Sequence, residues 1–157
     1  MKYFEHIDAT TIQEAGAALK GGAKAIAGGT DLLSVLKDKI LPEYPETVVN
    51  IKTIPGMADI EKTAAGIKIG ANTKLTAIVE SPIVKEHFPA VADAAYSVAS
   101  PLIRNQATLG GNLCQDTRCW YYRYPHQIGG RIVCSRKGGE ECYAVTGENK
   151  YHSIFGG

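Results

Sequence analysis

The sequence predicts a mixed fold, α+β or α/β, for residues 1–113 and an irregular segment for the remainder. Three observations predict it. Strand-like and helix-like apolar patterns alternate from residue 3 to residue 99. Glycine pairs stand where one pattern gives way to another. Composition then changes at residue 114: all four cysteines, the only tryptophan and five of the eight tyrosines lie in 114–157, whereas eighteen of the nineteen alanines lie before it.

The elements follow in order. Tyr3, Phe4 and Ile7 open a short apolar stretch. Thr10 or Thr11 can cap a helix over TIQEAGAALK, with Glu14 three residues after Thr11 as in a capping box, and Gly21-Gly22 stops it. AKAIAG reads as a buried strand and GGT as a turn. DLLSVLKDKIL reads as an amphipathic helix ended by Pro42 and Pro45. TVVNI is a second strand, and ADIEKTAAGIKIGA reads as a hairpin turning near Ala65-Gly66. Residues 75–99 read as helical with breaks at Pro82 and Pro89. SPLIRNQATLGGNL reads as a loop, and residues 114–157 show neither period.

A chain of 157 residues is long enough for one domain with a buried core. Seventeen basic against sixteen acidic side chains leave a formal charge of +1, without the electrostatic footprint of a dedicated nucleic-acid binder. No apolar run nears the ~20 residues needed to cross a bilayer. The opening MKYFEHIDAT lacks the apolar core of a signal peptide, so the expected compartment is cytoplasmic, with no membrane partner. Structural disulfides are disfavoured there, so the cysteines need another role.

Two glycine turns carry the first candidate site. In Ala27-Gly28-Gly29-Thr30-Asp31-Leu32 a strand feeds a glycine pair, a hydroxyl residue and a helix start. Glycine lets a ligand approach the backbone closely, and free N–H groups at a helix start suit a pyrophosphate. Thr30 can cap the helix or meet a phosphate. Thr108-Leu109-Gly110-Gly111-Asn112, about eighty residues on, repeats the hydroxyl and the glycine pair. Neither turn is a G-x-G-x-x-G or a Walker loop, and each is also an ordinary tight connection. Two such turns can face one another across a diphosphate.

AGGTDLL followed by IRNQATLGGNL resembles the FAD-binding subunit of the molybdenum hydroxylases, the group of xanthine dehydrogenase, carbon monoxide dehydrogenase and 4-hydroxybenzoyl-CoA reductase. The resemblance implies the N-terminal part of an α+β flavin domain of the vanillyl-alcohol-oxidase (PCMH) type. Residues 1–58 would form its first FAD-binding subdomain, 59–113 the start of its second, and 114–157 a cysteine-rich insertion. It implies that the backbone of 27–32 and of 108–112 wraps the FAD pyrophosphate, with Thr73, in IGANTKL, near the flavin. Family subunits are longer, so the rest of the flavin domain and a C-terminal domain are expected to be missing here.

Cys114, Cys119, Cys134 and Cys142 are spaced unlike zinc knuckles or a bacterial ferredoxin run. Four thiolates can complete either a zinc or an iron–sulfur site. NLCQDTRCWYY and the following stretch resemble the insertion of the 4-hydroxybenzoyl-CoA reductase flavin subunit, which implies a [4Fe–4S] cluster on Cys119, Cys134 and Cys142. Either Cys114 or His152 supplies the fourth ligand, or that ligand lies in sequence this chain lacks. His126 reads as a loop histidine, and the aromatic run Trp120-Tyr121-Tyr122-Arg123-Tyr124 can shield a cluster. Arg104, Arg118, Arg123, Arg131 and Arg136 read as solvated or loop-anchoring.

No acid–base pair or activated nucleophile stands out. No catalytic residue of the chain's own is therefore expected, and the function that the resemblance implies is electron transfer. The resemblance implies an oxidoreductase complex with a large molybdenum-cofactor subunit and a small [2Fe–2S] subunit. The alternatives are a zinc-stabilised interaction module without flavin, or a truncated flavin domain with no activity alone.

Overall fold

The computed structural model describes residues 1–124 and 132–153. Its first fifty residues form a parallel sheet crossed by two helices: β1 (Glu5–Asp8), α1 (Ile12–Ala18), β2 (Lys24–Ile26), α2 (Leu32–Lys37) and β3 (Thr47–Asn50), with sheet order β1-β3-β2. Val48 and Val49 have no exposed surface, because β3 takes the middle of the sheet with Ile7 and Ala25 paired beside Val49. AKAIAG, expected to be buried, is instead an edge strand with Lys24 and Ala25 exposed.

The start of α1 follows its sequence signal. Thr11 is the N-cap and accepts the Glu14 N–H at 3.1 Å. The Glu14 carboxylate reaches back to the N–H and hydroxyl of Thr10, and those bonds hold it below its ordinary pKa. Thr11→Ala is expected to cost about 1 kcal/mol in a urea unfolding experiment.

Helix α2 stops at Lys37, short of the predicted end near Ile40. Lys39 adopts φ 53°, and this left-handed step turns Ile40 back into the core.

The next segment is a hairpin of β4 (Ile60–Thr63) and β5 (Gly66–Ile69), closed by Ala64-Ala65. Three short helices cover it: α3 (Leu75–Glu80), α4 (Pro82–His87) and α5 (Pro89–Ser97). The two prolines that break the helical run also begin the next helix, where a missing N–H costs nothing. Residues 100–113 are not the predicted loop. They form α6 (Pro101–Arg104) and α7 (Leu109–Leu113), each capped by the hydroxyl before it, Ser100 and Thr108. The glycine pair inside α7 reads as a breaker in sequence, and the Thr108 cap outweighs it.

Beyond α7, residues 114–124 and 132–153 are irregular apart from α8 (Trp120–Arg123) and a 3₁₀ turn at Ser135–Lys137. They are not held by cysteines alone. Cys119, Tyr122, Cys134 and Ala144 pack against Val35 and Ile40 of the α2 region in one apolar cluster. A second cluster joins α3–α5 to the hairpin, and a third lies under the parallel sheet. Among the described residues no helix is long and apolar enough to cross a membrane.

Candidate functional site

The tertiary structure brings the two glycine turns together. Segment 71–75 runs beside the second turn: Gly110 N–H donates to the Ala71 carbonyl at 2.8 Å, Leu109 N–H to Thr73 at 2.9 Å, and Leu75 N–H to Ala107 at 3.0 Å. The first turn presses on the approach to the second. A Cβ built on Gly28 would stand 2.1 Å from the Gln106 carbonyl oxygen, so only glycine fits. Gly29 follows with φ 72°, a left-handed conformation that costs glycine least.

The result is a cleft of about 520 Å³ lined by Ala27, Gly28, Gly29, Thr30, Asp31 and Leu32 from one turn and by Thr108, Gly110 and Gly111 from the other. The remaining predicted residues lie off it. Leu109 packs into the helical core. Asn112 lines a smaller neighbouring cavity with Thr30 and Asp31. Thr73 is buried behind the second turn, and its hydroxyl has no hydrogen-bond partner. Among the lining residues that the sequence reading did not assign to this cleft are Cys114, Asp116 and Arg136.

Asp31 holds the N-cap of α2, yet its carboxylate makes no cap bond there. It accepts from Arg123 at 2.9 and 3.2 Å and from the Asp116 N–H at 2.9 Å, and it pairs with Arg118 at 3.1 Å. Arg123 in turn donates to the carbonyls of Thr117 and Asp116 at 2.6 and 2.7 Å. Arg123 is thus a loop anchor that ties the cysteine-rich segment to the first glycine turn. No spacing signal links residues 31 and 123, so only the fold reveals the pair.

Asp116 is the next link. It accepts the Tyr122 hydroxyl and the Arg136 guanidinium, the latter at 2.9 Å. Burial alone would raise its pKa, but the bonds from Tyr122, Arg136 and the Thr117 N–H outweigh burial and hold it low. Burial and the Asp116 carboxylate push Tyr122 up to about 12. The signs follow from linkage. The stability held by Asp116 is present above the ordinary aspartate pKa and is lost as pH falls through the lowered value. That held by Tyr122 is complete below the ordinary tyrosine pKa and is lost as pH rises toward 12. Tyr122→Phe is expected to flatten the alkaline fall in stability, followed by urea midpoints at a series of pH values.

Cys119, Cys134 and Cys142 line a second cavity of about 160 Å³, together with His152, Tyr122 and Arg136. All four cysteines are free thiols. Cys114 does not join them; it is exposed on the glycine cleft. Among the described residues no three His, Cys, Asp or Glu side chains are gathered as a ligand set for a metal ion. Tyr121 and Tyr122 wall the cavity, but Trp120 turns outward against Tyr151 and does not shield it. His126 and Arg131 lie outside the described residues.

The sequence model for the FAD binding domain in molybdopterin dehydrogenase matches residues 2–119. The chain belongs to this family. The matched span of the molybdopterin-dehydrogenase FAD-binding domain includes both glycine turns and ends at Cys119. The chain is 34% identical to the aldehyde oxidoreductase FAD-binding subunit PaoB of Escherichia coli K12, over 99% of its own length and 48% of that protein. It is 39% identical to the nicotinate dehydrogenase FAD-subunit of Eubacterium barkeri over 72% of its length and 39% of that protein. In structure it resembles a chain of the Hydrogenophaga pseudoflava carbon monoxide dehydrogenase, with a TM-score of 0.67 and 35% identity over 71% of this chain and 39% of that one. The chain thus spans less than half the length of these relatives. The similarity to PaoB runs on through the cysteine-rich segment, whereas the family model stops at its start.

Proposed function

We propose that this chain is the FAD-binding, electron-transferring part of a molybdenum-containing oxidoreductase complex. The observation that carries the reading is the single cleft made by the two glycine turns, lined by Gly28 and Gly29 from one and by Gly110 and Gly111 from the other. Residues 27–32 and 108–112 would hold the FAD pyrophosphate, with Thr73, its buried hydroxyl unpartnered, toward the flavin. Asp31 would repel a pyrophosphate if it stood alone. Arg118 and Arg123 cover its carboxylate and leave the turn with net positive charge. When bound, FAD exchanges two electrons with one partner and single electrons with iron–sulfur centres. The chain's own residues bind and orient it. Partners of the kind expected are a molybdenum-cofactor large subunit and a [2Fe–2S] small subunit, with this chain between them and an external carrier.

We further propose an iron–sulfur cluster on Cys119, Cys134 and Cys142. What supports it is the donor type: three free thiols line one cavity, two of them on buried residues, and thiolates suit iron–sulfur clusters, although among the described residues the side chains are not gathered as a ligand set. Cys114 stands on the other cleft, which favours a fourth ligand from elsewhere. Anaerobic purification with visible spectroscopy and metal analysis tests both readings. Flavin bands and a broad shoulder bleached by dithionite are expected. A colourless protein with stoichiometric zinc would mean the interaction-module alternative instead.

A further inference from the structure

The glycine cleft and the cysteine cavity share a wall. Asp116 faces the cleft, Tyr122 faces the cavity, and Arg136 faces both. Arg136 bonds Asp116 at 2.9 Å and lies 5.2 Å from the Tyr122 ring centroid. The backbone of Asp116 is itself fixed to the first glycine turn: its N–H donates to Asp31, and its carbonyl accepts from Arg123, which also donates to Asp31. An unbroken run of charge-assisted contacts therefore leads from the turn to the wall of the cavity. Its far end is short: Arg136 sits two residues after Cys134, on the 3₁₀ turn where the Cys134 carbonyl accepts from Lys137 and Gly139.

We propose that Asp116 and Arg136 form a positioning relay, by which an anionic ligand in the glycine cleft orders the segment that carries Cys134. Asp116 holds the half-exposed Arg136 guanidinium on the wall of the cleft, where an anion gives it a second acceptor. Arg136 then loses freedom, and the turn bearing Cys134 loses it too. By linkage, ordering of the cysteine segment tightens ligand binding by the same factor. The inference rests on the cleft being the FAD site, and it holds whether or not the cavity carries a cluster.

Hydrogen exchange of the full chain with and without saturating FAD tests it. FAD is expected to slow exchange at residues 25–33 and 107–116 directly, and at 133–144 through the relay by about five-fold or more. Asp116→Asn keeps the shape and removes the charge. It is expected to retain the slowing at the turns and lose it at 133–144, with Asp116→Glu restoring part. A purely structural role for Asp116 would speed exchange at 133–144 with and without FAD alike, leaving the ratio unchanged. Arg136→Gln gives the same test should Asp116→Asn fail to fold. Slowing at the turns without slowing at 133–144 in the wild-type chain overturns the relay, as does a ratio untouched by both variants. No slowing anywhere overturns the FAD reading of the cleft and the relay with it.

Discussion

Gly28→Ala is expected to cut FAD affinity tenfold or more and to destabilise the fold as well. The new Cβ would stand 2.1 Å from the Gln106 oxygen, 2.8 Å from its carbonyl carbon and 3.1 Å from the Ala107 Cα. All three are backbone atoms, so no side chain can swing aside. The two turns must move apart, and that separation defines the cleft. Overpacking costs ~1–3 kcal/mol, and a rigid backbone obstacle places this case at the upper end. A loss of ~1.4 kcal/mol in binding is a factor of ten. Flavin fluorescence titration reads the affinity, and urea unfolding reads the stability. Gly16→Ala supplies the opposite sign: within α1, nothing stands within 4 Å of its Cβ position. It is expected to stabilise by ~0.5–1 kcal/mol through helix propensity. A Gly28→Ala chain that bound FAD like the wild type would remove this contact from the site.

Asp31→Ala is expected to be strongly destabilising. Asp31 and Arg123 are each only 14% exposed at the side chain. Removing one partner of a buried pair costs ~3–5 kcal/mol, chiefly because the other charge is left uncompensated. The lower end applies here, since Arg123 keeps its bonds to the Thr117 and Asp116 carbonyls and Arg118 is 55% exposed. The double variant Asp31→Ala/Arg123→Ala is expected to lose much less than the sum of the two singles, because the second removal discharges an orphaned cation. Urea unfolding of the four chains measures the coupling. Additive losses would mean that the two side chains do not hold the cysteine-rich segment to the turn as a pair.

Local signals were legible where the chain settles its own backbone. The cap at Thr11, the hairpin at 60–69 and the prolines opening α4 and α5 all depend on neighbours within a few residues. The edge position of β2 was not legible, because an apolar strand reads alike in the middle of a sheet and at its margin. The short helices at 101–104 and 109–113 were hidden for another reason. The first is a single turn set by the Ser100 cap, and the second has poor propensity and stands on the Thr108 cap and on contacts with segment 71–75.

The candidate site divides along the same line. The sequence by itself determined the two glycine turns and the family resemblance they carry. Each rests on residue types that only certain backbone geometries or ligands require. What the tertiary structure alone decided is how these parts meet. It set Gly28 against Gln106, placed Cys114 on the other cleft from its three fellows, and turned the Asp31 carboxylate toward Arg123. Such pairings join residues eighty or ninety positions apart. Their energy comes from excluding water and matching charge across that distance, and no local pattern in the chain encodes it.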